Sequence, residues 1–213
     1  SILEILMAIG AGATLVLVPQ DELLLGESLA QLIREQNITV ATLQPSVLAS
    51  LPDTPLPSLR VLLSAGAACP PQIVSRFAPG RELWNAYGPT EGSVCVTLAK
   101  LTDQDAKHAI VPIGRPLPNT RVYILDENLQ PVALGEQGEL CIGGIAVASG
   151  YLNRPELTQQ KFLPDPFLRQ PDARIYRTGD LARFRPDGQI EFLGRIDHQI
   201  KLRGFRIELG EIE

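Results

Sequence analysis

The chain has 213 residues, 45% of them hydrophobic and 20% charged, with a formal net charge of −5. That composition belongs to a globular protein with a real core, long enough for one large domain or two small ones. Its acidic balance gives no reason to expect nucleic acid or an anionic membrane as a partner.

Residues 1–9 carry the pattern of an amphipathic helix already under way, with no initiator Met and no basic run, so no signal peptide is read there. Gly10-Ala11-Gly12-Ala13 breaks that helix, and residues 14–18 are expected to form an apolar strand. Over residues 29–36 a helix would put Leu29, Leu32 and Ile33 on one face. Residues 38–43 predict a strand, Pro45 opens a short helix, residues 59–63 predict a second strand, and Pro70-Pro71 starts another helix. A short strand over residues 83–86 leads into Gly88-Pro89-Thr90-Glu91. Apolar strands between helices predict a covered, mostly parallel sheet over residues 1–109. In such sheets ligands sit beyond the C-terminal strand ends, where Ser64-Ala65-Gly66-Ala67 and Asn85 to Glu91 both fall.

Residues 110–196 change texture. Short strands are expected at 121–125, 139–142, 181–185 and 189–193, the last two joined at Pro186-Asp187-Gly188, with one helix at 155–162. The fold class is thus α/β, a mostly parallel sheet with covering helices followed by a small β-barrel-like subdomain. Residues 197–213 end in the pattern of a helix just opening, so the chain looks like an internal piece of something longer.

Cys69, Cys95 and Cys141 are widely spaced in apolar settings, as reduced packing thiols of a cytoplasmic protein would be. His108 and His198 lie near neither a cysteine nor each other, which argues against zinc. The chemistry concentrates elsewhere. In Asn85-Ala86-Tyr87-Gly88-Pro89-Thr90-Glu91 an aromatic ring can stack on a base, a hydroxyl can bond a phosphate and a carboxylate can hold magnesium. Taken alone, the same heptapeptide is equally an exposed turn before a helix start. Asp180, after Gly179, can accept both hydroxyls of a ribose or simply cap its own turn. Arg195 can meet a phosphate or a surface carboxylate, and Lys201, Arg203 and Arg206 can be a solvated basic face.

Order and spacing join these signals. Asn85 to Glu91, Gly138-Glu139-Leu140-Cys141-Ile142-Gly143-Gly144 through Gly150-Tyr151-Leu152, Tyr176 to Leu181, and Gly194 to Glu213 resemble four successive motifs of the adenylation domains of non-ribosomal peptide synthetases, within the adenylate-forming enzymes. The resemblance implies an enzyme that joins an amino acid to ATP and passes it to the phosphopantetheine thiol of a peptidyl carrier domain, beside neighbouring synthetase domains. It implies that Gly66, Ala67 and Ala86 line the adenine, with Gly88 letting the ligand approach, that Asn85 bonds the adenine amine, and that Tyr87 stacks on it. Thr90 then contacts the phosphate, Glu91 holds magnesium, Asp180 binds the ribose hydroxyls, Phe192 lies against the ribose, Arg195 lies near ribose and phosphate, and Asp197 is the hinge.

The resemblance also implies an amino-acid pocket at Leu3, Thr42, Leu63, Ala65, Ala86, Val94 and Cys95, small or apolar residues with one hydroxyl and no charge. A charged substrate side chain would stand unpaired there, so an apolar, preferably aromatic, amino acid is expected. The bland alternative is plain sheet core. A phosphate loop and an amine-binding Asp would precede Ser1, and a late catalytic Lys would follow Glu213, so the piece alone is expected to be inactive. Ser149 stands where many relatives carry Arg. Two other readings are an acyl-CoA or aryl-acid ligase of the same superfamily and a non-catalytic scaffold module.

Overall fold

The structure is a computed structural model that describes residues 2–18 and 25–196, with the backbone of 200–202 and 205–207. Asp197, the expected hinge, and His198 lie outside the described residues, as do the side chains of Lys201, Arg203 and Arg206.

Helix α1 is Ile2–Gly10 and α2 is Gly26–Glu35, and three strands follow that are joined by helices: β1 (Val40–Leu43), α3 (Pro45–Ser50), β2 (Val61–Ala65), α4 (Pro71–Phe77) and β3 (Glu82–Tyr87). Prolines at the first turns of α3 and α4 start both helices, because an N-terminal N–H has no helical partner to lose. Strands β1, β2 and β3 run parallel, with Thr42 opposite Leu63 and Ala65 opposite Ala86. Leu62 and Leu83 point into a core with Ala30, Ile33, Leu48, Val74 and Phe77, so α2, α3 and α4 share one core with these strands. On β2, Val61, Leu63 and Ala65 alternate with that buried set and stay half-exposed.

The remaining strands are β4 (Thr97–Leu101), β5 (Pro112–Pro116), β6 (Thr120–Leu125), β7 (Gly138–Gly144), β8 (Phe162–Pro164), β9 (Arg174–Phe184) and β10 (Ile190–Arg195), with α5 at Pro155–Lys161. Every pairing from β3 onward to β6 is antiparallel except where β3 meets β2. The strands form one 10-stranded sheet in the order β1-β2-β3-β4-β5-β10-β9-β7-β6, with β8 on β9. The sheet is therefore mixed, with its parallel part confined to β1–β3. The β-rich half is not a closed barrel: its path ends openly at β6, and β5 continues it into the first half by pairing with both β4 and β10. A second core of Val96, Ile113, Ile124, Leu140, Ile142, Tyr176 and Ile190 lies across that junction.

Two expectations change. Residues 14–18 adopt no regular structure. A strand forms only when a neighbouring backbone completes its hydrogen bonds, and residues 14–18 form no ladder with β1, the first strand in the sheet order. Strands β4, β5 and β8 add to the expected set; in β5, Gly114 and the prolines at 112 and 116 break the β pattern that a strand normally shows. The hairpin at Pro186-Asp187-Gly188 forms as expected, with Arg185 N–H donating to Gln189 O at 2.7 Å and Asp187 Oδ1 accepting the Gln189 N–H at 3.0 Å. No helix among the described residues is long and apolar enough to cross a membrane. Cys69, Cys95 and Cys141 are free thiols, and burial raises all three, Cys141 to about 12.

Candidate nucleotide and amino-acid site

The parallel strands end together. Thr42 to Gln44 leave β1, Ala65 and Gly66 leave β2, and Ala86 and Gly88 leave β3, and all of them line one groove of about 660 Å³. Thr90, Val94 and Cys95 close it from the loop after β3, and Ile2 and Leu3 close it from α1. The sheet thus gathers six of the seven expected pocket residues, Leu3, Thr42, Ala65, Ala86, Val94 and Cys95. Leu63 lies two residues before Ala65 on the same strand face, half-buried, and is not part of the lining. Glu4 and Gln44 also line the groove, so its wall carries a carboxylate and an amide that the sequence pattern does not mark.

The loop at 88–96 is tightly closed. Val96 N–H donates to Tyr87 O at 2.8 Å, and Thr90–Gly92 forms one turn of 3₁₀ helix. Gly88 is required by proximity: a Cβ there would lie 2.5 Å from Val94 O and 2.7 Å from Cys95 Cα. Ser93 and Val94 take up the closure with φ of +59° and +78°.

On the other side of Gly88 the second half of the chain supplies a polar cluster. Tyr87 Oη donates to Asp180 Oδ2, and Arg195 Nη1 donates to Asp180 Oδ1 at 2.8 Å. Asp180 is 6% exposed. Both carboxylate oxygens are thus engaged by groups from β3 and β10. Burial, and then the negative charge of Asp180, push the Tyr87 phenol well above its ordinary range, so it stays a donor. The Phe192 ring stands 6.2 Å from the Tyr87 ring, tilted by 35°, making an aromatic corner beside the carboxylate. Residues 93 apart in sequence meet here because β9 and β10 join the sheet through β5.

Asn85 is buried and does not line the groove, and its Nδ2 donates to Pro112 O at 2.8 Å, which ties β3 to β5. Gly66 and Ala67 are exposed just past β2. Glu91 is 6% exposed, and its Oε1 accepts from Tyr151 Oη at 2.6 Å, with Tyr176 Oη a further 3.3 Å from Tyr151 Oη. Burial and that carboxylate raise the Tyr151 phenol. The sequence pattern assigns no role to Tyr151 or Tyr176, since a tyrosine in a glycine-rich stretch looks like packing. Among the described residues no group of three His, Cys, Asp or Glu stands together for a metal. A magnesium ion carried by phosphates needs only one or two protein oxygens; Thr90 lines the groove, and the neighbouring Glu91, buried against Tyr151, is the carboxylate that would supply one.

The fold therefore sets a strand-end groove next to the polar cluster of Tyr87, Asp180 and Arg195. The profile of AMP-binding enzymes covers residues 1–152, and the chain belongs to that family. Within it, the similarity is to nonribosomal peptide synthetases. The chain is 52% identical over 213 residues to bacitracin synthase 3 of Bacillus licheniformis, covering 100% of this chain and 3% of that protein. It is 50% identical over 213 residues to phosphinothricin tripeptide synthetase PhsC of Streptomyces viridochromogenes, covering 100% of this chain and 19% of that one. Among solved structures, PA1221, a synthetase protein containing adenylation and PCP domains, superposes with a TM-score of 0.82 at 35% identity, over 92% of this chain and 40% of that one. The artificially fused adenylation-PCP di-domain NpsA-ThdA from Klebsiella oxytoca gives 0.82 at 32% identity, over 99% of this chain and 40% of that one. The chain therefore spans a small part of these synthetases and under half of the solved di-domain proteins.

Proposed function

We propose that this chain is the part of an adenylation domain that holds adenine, ribose and the substrate side chain, working within a longer synthetase. The whole protein would join an amino acid to ATP, release pyrophosphate, and hand the aminoacyl group to a phosphopantetheine thiol on a peptidyl carrier domain, next to other synthetase domains. The observation that carries this reading is the meeting of Asp180, Arg195 and Phe192 at Tyr87, which stands in the chain between two groove residues, Ala86 and Gly88. Residues 1–109, 110–196 and 197–213 would serve as groove unit, β-rich unit and hinge with the start of a further small domain.

Each residue has a task that its surroundings allow. Tyr87 stacks on the adenine, Phe192 lies against the ribose, and Gly66, Ala67, Ala86 and Gly88 let the base approach the backbone. Asn85 accepts from the adenine amine. Asp180 accepts the two ribose hydroxyls, with Arg195 balancing its charge and lying toward the phosphate. Thr90 donates to a phosphate oxygen. Magnesium, held by Glu91, supplies neutralisation of phosphate charge. In-line attack by a carboxylate on phosphorus needs positioning and charge balance more than a covalent partner.

Leu3, Thr42, Ala65, Ala86, Val94 and Cys95, with Leu63 behind them, make most of the groove wall small or apolar beside the polar Glu4 and Gln44, which suits an apolar amino acid, with phenylalanine first and tyrosine or leucine next. Amino-acid-dependent pyrophosphate exchange by the full-length protein tests this. Exchange should be highest with an apolar amino acid, and the reading is wrong if an acidic or basic one is preferred. The same assay on residues 1–213 alone should show negligible exchange, and robust exchange there would overturn the proposal that further segments complete the site. Asp180→Ala in the full-length protein should lower exchange by about a hundredfold, through loss of charged hydrogen bonds to the ribose.

A further inference from the structure

Glu139 is a buried carboxylate, 8% exposed, that touches neither the groove nor the aromatic corner. It sits on β7 opposite the point where β9 leaves the ladder. Glu139 pairs with Leu181 on one side of that point, and Cys141 pairs with Arg177 on the other. Leu140 alone therefore faces Thr178, Gly179 and Asp180. A strand with surplus residues must bulge, and the amides in the bulge lose their ladder partners.

Side chains replace those partners. Glu139 Oε1 accepts the Gly179 N–H at 3.0 Å. Thr178 Oγ1 accepts the Asp180 N–H at 2.9 Å and donates to Leu140 O at 2.6 Å. Glu139 Oε2 is gripped by Arg177, from Nε at 2.8 Å and Nη2 at 2.5 Å. The bulge also receives the Ile196 N–H on Gly179 O at 2.8 Å. Its last residue is Asp180, whose carboxylate is thereby delivered to Tyr87 and Arg195.

We infer that Glu139, with Arg177 as its counter-ion, is a positioning residue of the nucleotide site, holding the bulge in the shape that presents Asp180 to the ribose hydroxyls. The inference rests on the reading of Asp180 as the ribose ligand. Glu139 acts through the backbone: it takes the Gly179 amide at the centre of the bulge, and Arg177 stops its carboxylate from turning away. A salt bridge that merely stabilised the sheet would bear on fold stability and not on the discrimination of ribose hydroxyls.

The test is the affinity of the full-length protein for ATP and for 2′,3′-dideoxy-ATP, by titration calorimetry. Wild type should prefer ATP, and Asp180→Ala should erase the preference. Glu139→Ala should reduce the preference about tenfold while its affinity for the dideoxy nucleotide stays at the wild-type level. Glu139→Gln keeps an acceptor for Gly179 and should retain most of the preference. Should Glu139→Ala not fold, Arg177→Leu, which releases Glu139 from a half-exposed partner, should lower the preference several-fold. A wild-type preference in Glu139→Ala or Arg177→Leu, or equal loss of both nucleotides, overturns the role of Glu139 while leaving Asp180 in place. A preference that survives Asp180→Ala overturns the ribose reading itself.

Discussion

Val94 shows at the scale of one residue how the site is obtained at a cost to the backbone. A β-branched side chain at φ +78° is strained by about 1–3 kcal/mol. The strain persists because Val96 N–H must return to Tyr87 O, and because residues 94 and 95 press on Gly88. Val94 is 46% exposed, so its burial contributes little to stability. Val94→Gly should therefore raise stability by about 1 kcal/mol in urea unfolding and, since Val94 lines the groove, weaken binding of an apolar amino acid. A destabilised Val94→Gly protein would show that the strain is not there. Tyr151 makes the opposite case. It donates to a buried carboxylate, and Tyr151→Phe should cost about 1–3 kcal/mol by removing a donor from Glu91, read by the same unfolding curve.

Among the elements, β5 decides whether the molecule has one sheet or two. Thr97 and Leu98 of β4 lie on one side of it and Ile190 and Glu191 of β10 on the other. Gly114 stands where the strand changes partners, with φ +89°, and a Cβ there would run into Leu98 O. The collision is with backbone, which cannot rotate away. Gly114→Ala should lower stability by roughly 3 kcal/mol or more and expose the β4–β5 region to protease. A melting temperature unchanged from wild type would refute this. The same junction brings Asp180 to Tyr87, so nucleotide affinity should fall with it.

For the whole molecule, the buried acids that lack charge have a common consequence at high pH. Thiols ionise near pH 9.0 and phenols near pH 10.0 in the unfolded chain, but burial raises Cys69, Cys95, Cys141, Tyr87 and Tyr151 above those values in the fold. The unfolded state then holds fewer protons, so stability is flat below about pH 9 and falls as pH rises. The slope reaches about 1.4 kcal/mol per pH unit for a fully buried group such as Cys141, and less for the partly exposed ones, Tyr87 among them. Urea unfolding between about pH 8 and 11 should show the fall, and Cys141→Ala should make it shallower. A level curve to about pH 11 would rule this out.

What the sequence by itself determined is local. Proline starts of helices, the Pro186-Asp187-Gly188 hairpin, the strand before Asn85 and the motif order from Asn85 to Gly194 are each written within a few residues, because turns, caps and side-chain periodicity are short-range effects. The family was legible for the same reason. What only the tertiary structure decided is which distant groups share a ladder or a bulge. The open sheet through β5, the link from Tyr87 to Asp180, the clasp of Tyr151 on Glu91 and the hold of Glu139 on Gly179 depend on pairing between strands far apart in the chain. Residues 14–18 make the point in reverse, since their apolar run asks for a strand and yet joins no ladder.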